Sequence, residues 1–241
     1  MMMGGVYSNA QRTNVLLGKK MNALTGEALN LARAEAQDAF RALKACRPRL
    51  DDASIGVILK DARSHYAWQD RPVSEDLLHK IYDIMVAGPT SMNTCPARIV
   101  FVCTSEGKER LAKSLKVKNI DKMMAAPVTA ILAYDLDFWT ELPFLFPHED
   151  RRRQFEGKPA HSEKTAFRNG TLQGAYFMIA ARAVGLDVVA MSGFSNEVVD
   201  EEFFTGTTVR SNFLCNIGYA DETALFHKLP RFEFNEVCSF A

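Results

Sequence analysis

"VAGPTSMNTCPARIVFV", residues 86–102, carries the chain from a helix end into a strand and sets the reading of everything around it. Its second half, Ala97 to Val102, is an apolar, β-branched run of the kind that forms a buried strand. Gly88 and Pro89 stop a helix. Between the two lies a small polar loop with Thr90, Ser91 and Asn93, then a second proline, Pro96. A plain connector needs only a few residues. This one is longer and offers more hydrogen-bonding groups than a turn requires.

On the N-terminal side, "SEDLLHKIYDIMVAG" predicts a helix. Ser74 caps it, Glu75 and Asp76 suit its positive end, and Leu77, Ile81, Ile84 and Met85 form the expected buried stripe. His79, between charged neighbours, falls on the surface. Earlier, a short helix over about 52–62 leads into "ARSHYAWQDRPV", which has neither period. On the C-terminal side, a helix is expected in "EGKERLAKSL" and a second buried strand in "APVTAILAYD". "LDFWTELPFLFPHEDRRRQF" is rich in aromatics and proline without a period. A long helix runs from about Ser162 to Val184 and stops at Gly185. Its Gly170 and Gly174, one turn apart, allow close packing. "LDVVAMSGF" and "NFLCNIGY" give two more strands around a short helix at Glu197–Phe204. Strands separated by unequal helices, without strict β-α alternation, predict α/β or α+β layers rather than a barrel.

Residues 1–50 differ from the rest and are expected to form an N-terminal extension, partly disordered, ahead of a main domain at 51–241. Residues 1–26 contain no acid, which fits an organelle transit peptide, a disordered tail or added sequence. From Leu24 an alanine-rich stripe (Ala28, Ala32, Ala36, Ala39, Leu43) predicts a helix ended by Pro48. So plain an apolar face should pack against something close by.

Composition narrows the function classes. The 241 residues hold 29 Lys plus Arg and 29 Asp plus Glu, a formal charge of zero. A nucleic-acid binder would carry a basic excess, and neutrality leaves subunit association unopposed. The five cysteines (Cys46, Cys95, Cys103, Cys215, Cys238) are scattered, without C-x-x-C pairing. Three of them sit in or beside apolar runs and read as small core residues. No apolar run reaches the roughly 18 residues of a membrane span, so a reducing, cytoplasmic setting is expected. G-x-G-x-x-G, Walker A, H-E-x-x-H and G-x-S-x-G are all absent, and the histidines lack metal spacing.

Three polar clusters remain: Arg63-Ser64-His65, the loop Pro89-Thr90-Ser91-x-Asn93, and Lys228-Leu229-Pro230-Arg231. Two guanidinium groups with hydroxyls suit a phosphate, which takes bidentate, always-charged donors. The loop can line the edge of a flat heterocycle. Taken singly, Arg63 reads as a solvated surface arginine.

Together and in this order, the clusters resemble the FMN-dependent nitroreductase superfamily over about Ile58 to Phe240. The resemblance is carried by "ARSHYAW", "GPTSMNTCPARIVF", "GKERL", "APVTAILAYD", "LPFLFPHED", "EKTAFRNGTLQGAY", "AVGLDVVAMSGF", "DEEFFTGTTVRSNFLCNIGY" and "LPRFEF". The "MSGF", "SNFLCNIGY" and "LPR" blocks are most similar to the malonic-semialdehyde reductase branch of the Rut pyrimidine-degradation pathway. "GPTSMN" belongs to the wider superfamily. The resemblance implies a central mixed sheet wrapped by helices, an α+β (mixed α/β) fold, in an intertwined homodimer. It also implies ping-pong, two-electron reduction with FMN as cofactor and NADH or NADPH as co-substrate. The implied substrate is malonic semialdehyde, reduced to 3-hydroxypropionate. A broad nitro- or quinone-reductase and a flavin-binding protein without turnover are the alternatives.

By the same resemblance, Arg63, Ser64 and Arg231 serve the flavin phosphate, with His65 beside them. Pro89, Thr90, Ser91 and Asn93 face the ring edge and ribityl chain. Met191, Ser192 and Gly193 bring backbone amides near the reactive ring. Two positions depart from the pattern. Tyr66 stands where many members have a second basic residue, leaving Lys228 or His65 to compensate the phosphate. Ala97 stands where many have an aromatic. Residues 136–156, with Phe138, Trp139 and Phe144, are either a lid over the pocket or a surface-packing aromatic cluster.

Overall fold

The four strands are β1 (Ala97–Val102), β2 (Val128–Asp135), β3 (Asp187–Met191) and β4 (Val209–Gly218), ordered β1-β2-β4-β3 in one sheet. Strand β2 organises them. Its side chains alternate across the sheet, as extended backbone requires. Val128, Ala130 and Leu132 enter one apolar cluster; Ile131 and Ala133 enter another on the opposite face. Thr129, fully buried, donates its hydroxyl to the Asn216 side chain at 2.8 Å and so is not left unpaired. A strand covered on both faces is a continuous apolar run in sequence. In this computed structural model, residues 26–45, 49–147 and 149–241 are described. The expectations placed on residues 1–25, and on Cys46, Pro48 and His148, lie outside them.

The helices are α1 (Gly26–Ala45), α2 (Asp52–Ile55, continued by a π turn at Gly56–Lys60), α3 (Glu75–Val86), α4 (Ser105–Ala112), α5 (Val117–Ala125), α6 (Leu142–Leu145), α7 (Pro159–Ala183), α8 (Asn196–Phe204) and α9 (Phe234–Val237). Helices α3 and α7 cover one face of the sheet through Leu78, Ile81, Met85, Phe177, Ala180 and Ala181. Helices α4, α5 and α8 cover the other through Leu111, Met123, Val199 and Phe204. The result is an α+β sandwich of three layers.

Several expectations are corrected. Every pairing between named strands is antiparallel, so the sheet is not mixed; among the described residues, a parallel contact occurs at an isolated bridge, Ser64 to Val188. The buried stripe of α3 is Leu78, Ile81 and Met85, while Ile84 is 42% exposed. Leu78 and Met85 stand three and four residues from Ile81, on its face of the helix. Helix α5 was not anticipated; of its nine residues only Met123 is buried, too little to announce an apolar stripe. Helix α1 forms, but it buries none of its residues, so the packed alanine face expected for it is not seen among the described residues. Among the described cysteines only Cys215 is buried, where desolvation pushes its thiol up to about 12; Cys103 is exposed and Cys95 half-buried. No helix among the described residues is long and apolar enough to cross a membrane.

The glycine pair of α7 does work as close packing. A Cβ on Gly170 would stand 2.9 Å from the Tyr134 Cβ, and one on Gly174 would stand 2.6 Å from the Phe213 ring. Next to this contact, Phe177 is fully buried and meets the Phe101 ring at 6.1 Å. Phe177→Ala should therefore cost about 3–5 kcal/mol. A denaturant titration should show a lower midpoint at unchanged slope; a loss under about 1 kcal/mol would contradict this core assignment.

Candidate functional site

The first group of expected residues collects along the outer edge of β3. Ser64 bridges Val188 there. His65 Nε2 lies 3.4 Å from Asp187 Oδ1, and the other oxygen of Asp187 accepts the Ala220 amide at 3.0 Å. The approach to this edge is fixed from below, because Arg182 of α7 donates to the Ile58 carbonyl of the π turn at 3.2 Å. Four cations nearby or in the adjoining tail rest on neutral partners. Arg63 donates to the Phe226 carbonyl at 3.1 Å. Lys122 lies 4.5 Å over the Tyr66 ring, which packs edge-on against Phe226. Lys228 donates to the Lys60 carbonyl. Arg231 donates to the carbonyls of Leu229 and Pro230, at 3.2 and 2.9 Å. A carbonyl does not neutralise a guanidinium, so charge remains available for an anion. Lys122 thus brings a cation to the Tyr66 ring.

The turn Met191-Ser192-Gly193 continues the same strand. Met191 is buried and Ser192 exposed. The Gly193 carbonyl accepts from the Lys116 amide and from Asn119 Nδ2, both at 3.1 Å. A Cβ on Gly193 would stand 2.3 Å from Asn119 Nδ2, so close approach requires glycine here. Lys116 and Asn119 are site residues that sequence reasoning missed. They belong to the entry of α5, and "KVKN" carries no motif that marks them.

The second group lies at the other end of the strand order, before β1. Tyr176 donates its hydroxyl to the Pro89 carbonyl at 3.0 Å. Thr90 Oγ1 accepts the Cys95 amide at 3.3 Å. Asn169 Oδ1 accepts the Ser91 amide at 2.8 Å. Asn93 Nδ2 donates to the Leu145 carbonyl at 2.8 Å. Met92, Asn93 and Cys95 adopt positive φ of 51°, 52° and 39°. Such backbone costs about 1–3 kcal/mol at each non-glycine residue. The surrounding hydrogen bonds hold it in place.

The two groups therefore occupy opposite edges of the sheet. Arg63, Ser64, His65, Met191, Ser192 and Gly193 are at β3; Pro89, Thr90, Ser91 and Asn93 are at β1. Three strand spacings at about 4.8 Å put roughly 14 Å between those edges. Arg231 lies in the stretch 222–241, exposed throughout.

The aromatic segment 136–156 is neither a bare surface cluster nor a loose flap. Phe138, Leu142 and Phe155 are each 1% exposed and form a third core with Tyr134 and Ala166, against which Met92 packs. Phe144 remains 42% exposed on α6, next to the Leu145 carbonyl that holds Asn93. A separate open cleft of about 450 Å³, lined among others by Tyr134, Phe167, Asp200 and Arg210, contains none of the expected residues. Burial raises the Tyr134 hydroxyl pKa there. No cluster of metal-ligating side chains occurs among the described residues.

The frame is thus an antiparallel sheet sandwiched by helices, with cations along one edge and a left-handed polar loop at the other. The sequence profile of the nitroreductase family matches residues 59–219, more than half of the chain, and the chain belongs to that family. Solved structures share the fold. YdfN of Bacillus subtilis, described as a nitroreductase, superposes with a TM-score of 0.70 at 16% identity, over 79% of this chain and 100% of that one. A nitroreductase-type protein of Exiguobacterium sibiricum, crystallised in complex with FMN, gives 0.68 at 20% identity, over 81% and 99%. A Staphylococcus epidermidis protein described as an NAD(P)H:FMN oxidoreductase gives 0.69 at 18%, over 80% and 98%. At these identities the likeness is one of fold.

Gly193→Ala should force Asn119 aside and break its bond to the Gly193 carbonyl. One lost hydrogen bond is worth about 1 kcal/mol. Thermal unfolding should fall by a few degrees, roughly as such a loss implies for a domain of this size; an unchanged midpoint would mean the turn is not held by Asn119.

Proposed function

We propose that this chain is an FMN-dependent NAD(P)H oxidoreductase acting by ping-pong, two-electron reduction. The observation that carries this reading is the set of cations resting on neutral partners, Arg63 foremost, along an edge that ends in the glycine turn at Gly193. A bound FMN would supply hydride chemistry, taking two electrons from NADH or NADPH and giving them to an acceptor in the same pocket. The protein's part is binding and placement. Arg63 and Arg231 hold the phosphate, with Ser64 and His65 beside it. The backbone of Met191 to Gly193 presents amides where negative charge develops. Pro89 to Asn93 line the ring edge and ribityl chain.

In this reading the site needs a homodimer. A single copy keeps the β1 loop and the β3 edge apart, whereas a two-fold pairing would bring the loop of one copy to the edge of the other. The exposed apolar side chains of the C-terminal segment support it: Phe226, Leu229, Phe232 and Phe240 are 71%, 65%, 75% and 92% exposed. So many large apolar side chains exposed in one short segment suit an interaction site.

For substrate, the "MSGF", "SNFLCNIGY" and "LPR" blocks favour malonic semialdehyde, reduced to 3-hydroxypropionate. Broad nitro- or quinone-reductase activity is the second reading, favoured by Phe144, an exposed aromatic beside the loop that suits a flat acceptor.

Heat-released flavin should be FMN, and protein reduced by NADH should be reoxidised faster by malonic semialdehyde than by quinones or nitroarenes; the reverse order would favour the second reading. A charge-assisted phosphate contact is worth about 1.5–3 kcal/mol. Arg63→Ala and Arg231→Ala should each weaken FMN binding by about one to two orders of magnitude. An Arg231→Ala protein that keeps its flavin through dialysis would remove Arg231 from the site. Light scattering should give a dimer at micromolar concentration, and an active monomer would overturn the shared site.

A further inference from the structure

Helix α7 carries a polar stripe to which the family resemblance assigns no role. Asn169, Gln173 and Tyr176 follow one another at spacings of four and three, on one face of the helix. Each bonds the backbone of the loop before β1 or, for Gln173, of the first residue of that strand. Asn169 Oδ1 accepts from the Ser91 amide at 2.8 Å, Gln173 Oε1 accepts from the Ala97 amide at 2.9 Å, and the Tyr176 hydroxyl donates to the Pro89 carbonyl at 3.0 Å. Asn169 and Gln173 are each 2% exposed. The Asn169 amide is oriented by its own nitrogen, which donates to the Thr165 carbonyl at 2.9 Å. A buried amide on a long helix costs stability unless it is bonded, and here the bonds go to the loop.

We infer that Asn169, Gln173 and Tyr176 are positioning residues, which fix the loop of residues 89–97 in its binding shape before any ligand arrives. The three contacts enclose the segment whose backbone is left-handed at Met92, Asn93 and Cys95. That conformation is unfavourable for Met and Cys and persists only where its surroundings over-determine it. Bonds at residues 89, 91 and 97 do so through the backbone, and Pro89, Ser91 and Asn93 stay exposed. Two further features bear on the same stripe. Gly88 has no Cβ, and one placed there would stand 2.1 Å from the Tyr176 ring. Gly170 and Gly174, each next to one of the buried amides, let the helix sit close to Tyr134 and Phe213 of the sheet. The repeat N-G-x-x-Q-G is thus one device, a glycine for approach and an amide for reach, used twice. A loop held this way does not have to be ordered by the ligand, so its shape contributes to affinity.

This inference rests on the flavin reading, and the test separates the two. Apoprotein is titrated with FMN by fluorescence quenching, the bound flavin is examined by visible circular dichroism, and thermal unfolding is recorded without flavin. Asn169→Leu and Gln173→Leu remove an acceptor and leave a backbone amide unpaired. Each should raise the FMN Kd by about tenfold or more and alter the visible dichroism. Tyr176→Phe, which deletes only a hydroxyl at the rim, should raise it by about threefold and leave the unfolding midpoint near that of the parent. Asn169→Asp and Gln173→Glu keep the acceptor oxygen and should bind FMN more tightly than the leucine variants. If the leucine variants do not fold, Tyr176→Phe decides. Variants that unfold earlier but bind FMN with the parent's Kd and dichroism would overturn the inference and leave these residues purely structural. A parent protein that does not bind FMN would instead overturn the flavin reading, and the inference with it.

Discussion

The close seat of α7 on the sheet is the contact on which the remaining structure depends. At Gly170 and Gly174 the helix has no side chain to hold it away, and Tyr134 and Phe213 fill the space that a Cβ would take. From that distance Phe177, Ala180 and Ala181 complete the core under β2 and β4. The same distance lets Asn169 and Gln173 reach past the sheet edge to the loop before β1. At its far end α7 ties the π turn through Arg182, and so sets the path of Arg63 and Ser64 toward β3. One helix thus fixes both halves of the candidate site.

Those halves lie apart because of strand order. A sheet arranged β1-β2-β4-β3 separates the loop before β1 from the turn after β3 by its full width. Each edge carries one half of the candidate site. Left-handed backbone is held open on one side, and cations face neutral partners on the other. Neither half has a complete set of contacts for a ring and a phosphate together. In the proposed homodimer a symmetric pair would complete both sites at once, since an isologous interface uses each surface twice.

Much of this was legible in the sequence, and the parts that were not share a cause. The bounds of β1, β2 and α8 follow from apolar runs and punctuation. The Ser74 cap of α3 accepts from the Leu77 amide as its position implied, and the stop of α7 falls at Gly185, whose φ is +85°. These are local features, decided within a few residues. The antiparallel pairing of every strand is not local, and periodicity does not carry it. Helix α5 escaped notice because its amphipathic face holds a single buried residue, so Lys116 and Asn119 escaped with it. Asn169 and Gln173 look like any polar residues of a long helix; only tertiary burial distinguishes them. The alanine-rich stripe of α1 predicts a packed face, yet none of its residues is buried. The polar clusters themselves were visible in sequence, but their division between two sheet edges was not.

Subunit mixing tests the shared site most directly. Subunits carrying Arg63→Glu are disabled at the β3 edge, and subunits carrying Ser91→Glu are disabled at the β1 loop. Each homodimer should purify folded and without flavin. Refolding the two together should give hybrids in which one site is intact and the other carries both lesions. FMN should then return to about a quarter of all sites, as random pairing of an isologous dimer requires. If mixing restores no flavin while both parents stay folded and dimeric, the two edges do not meet in one site, and the account fails at its centre.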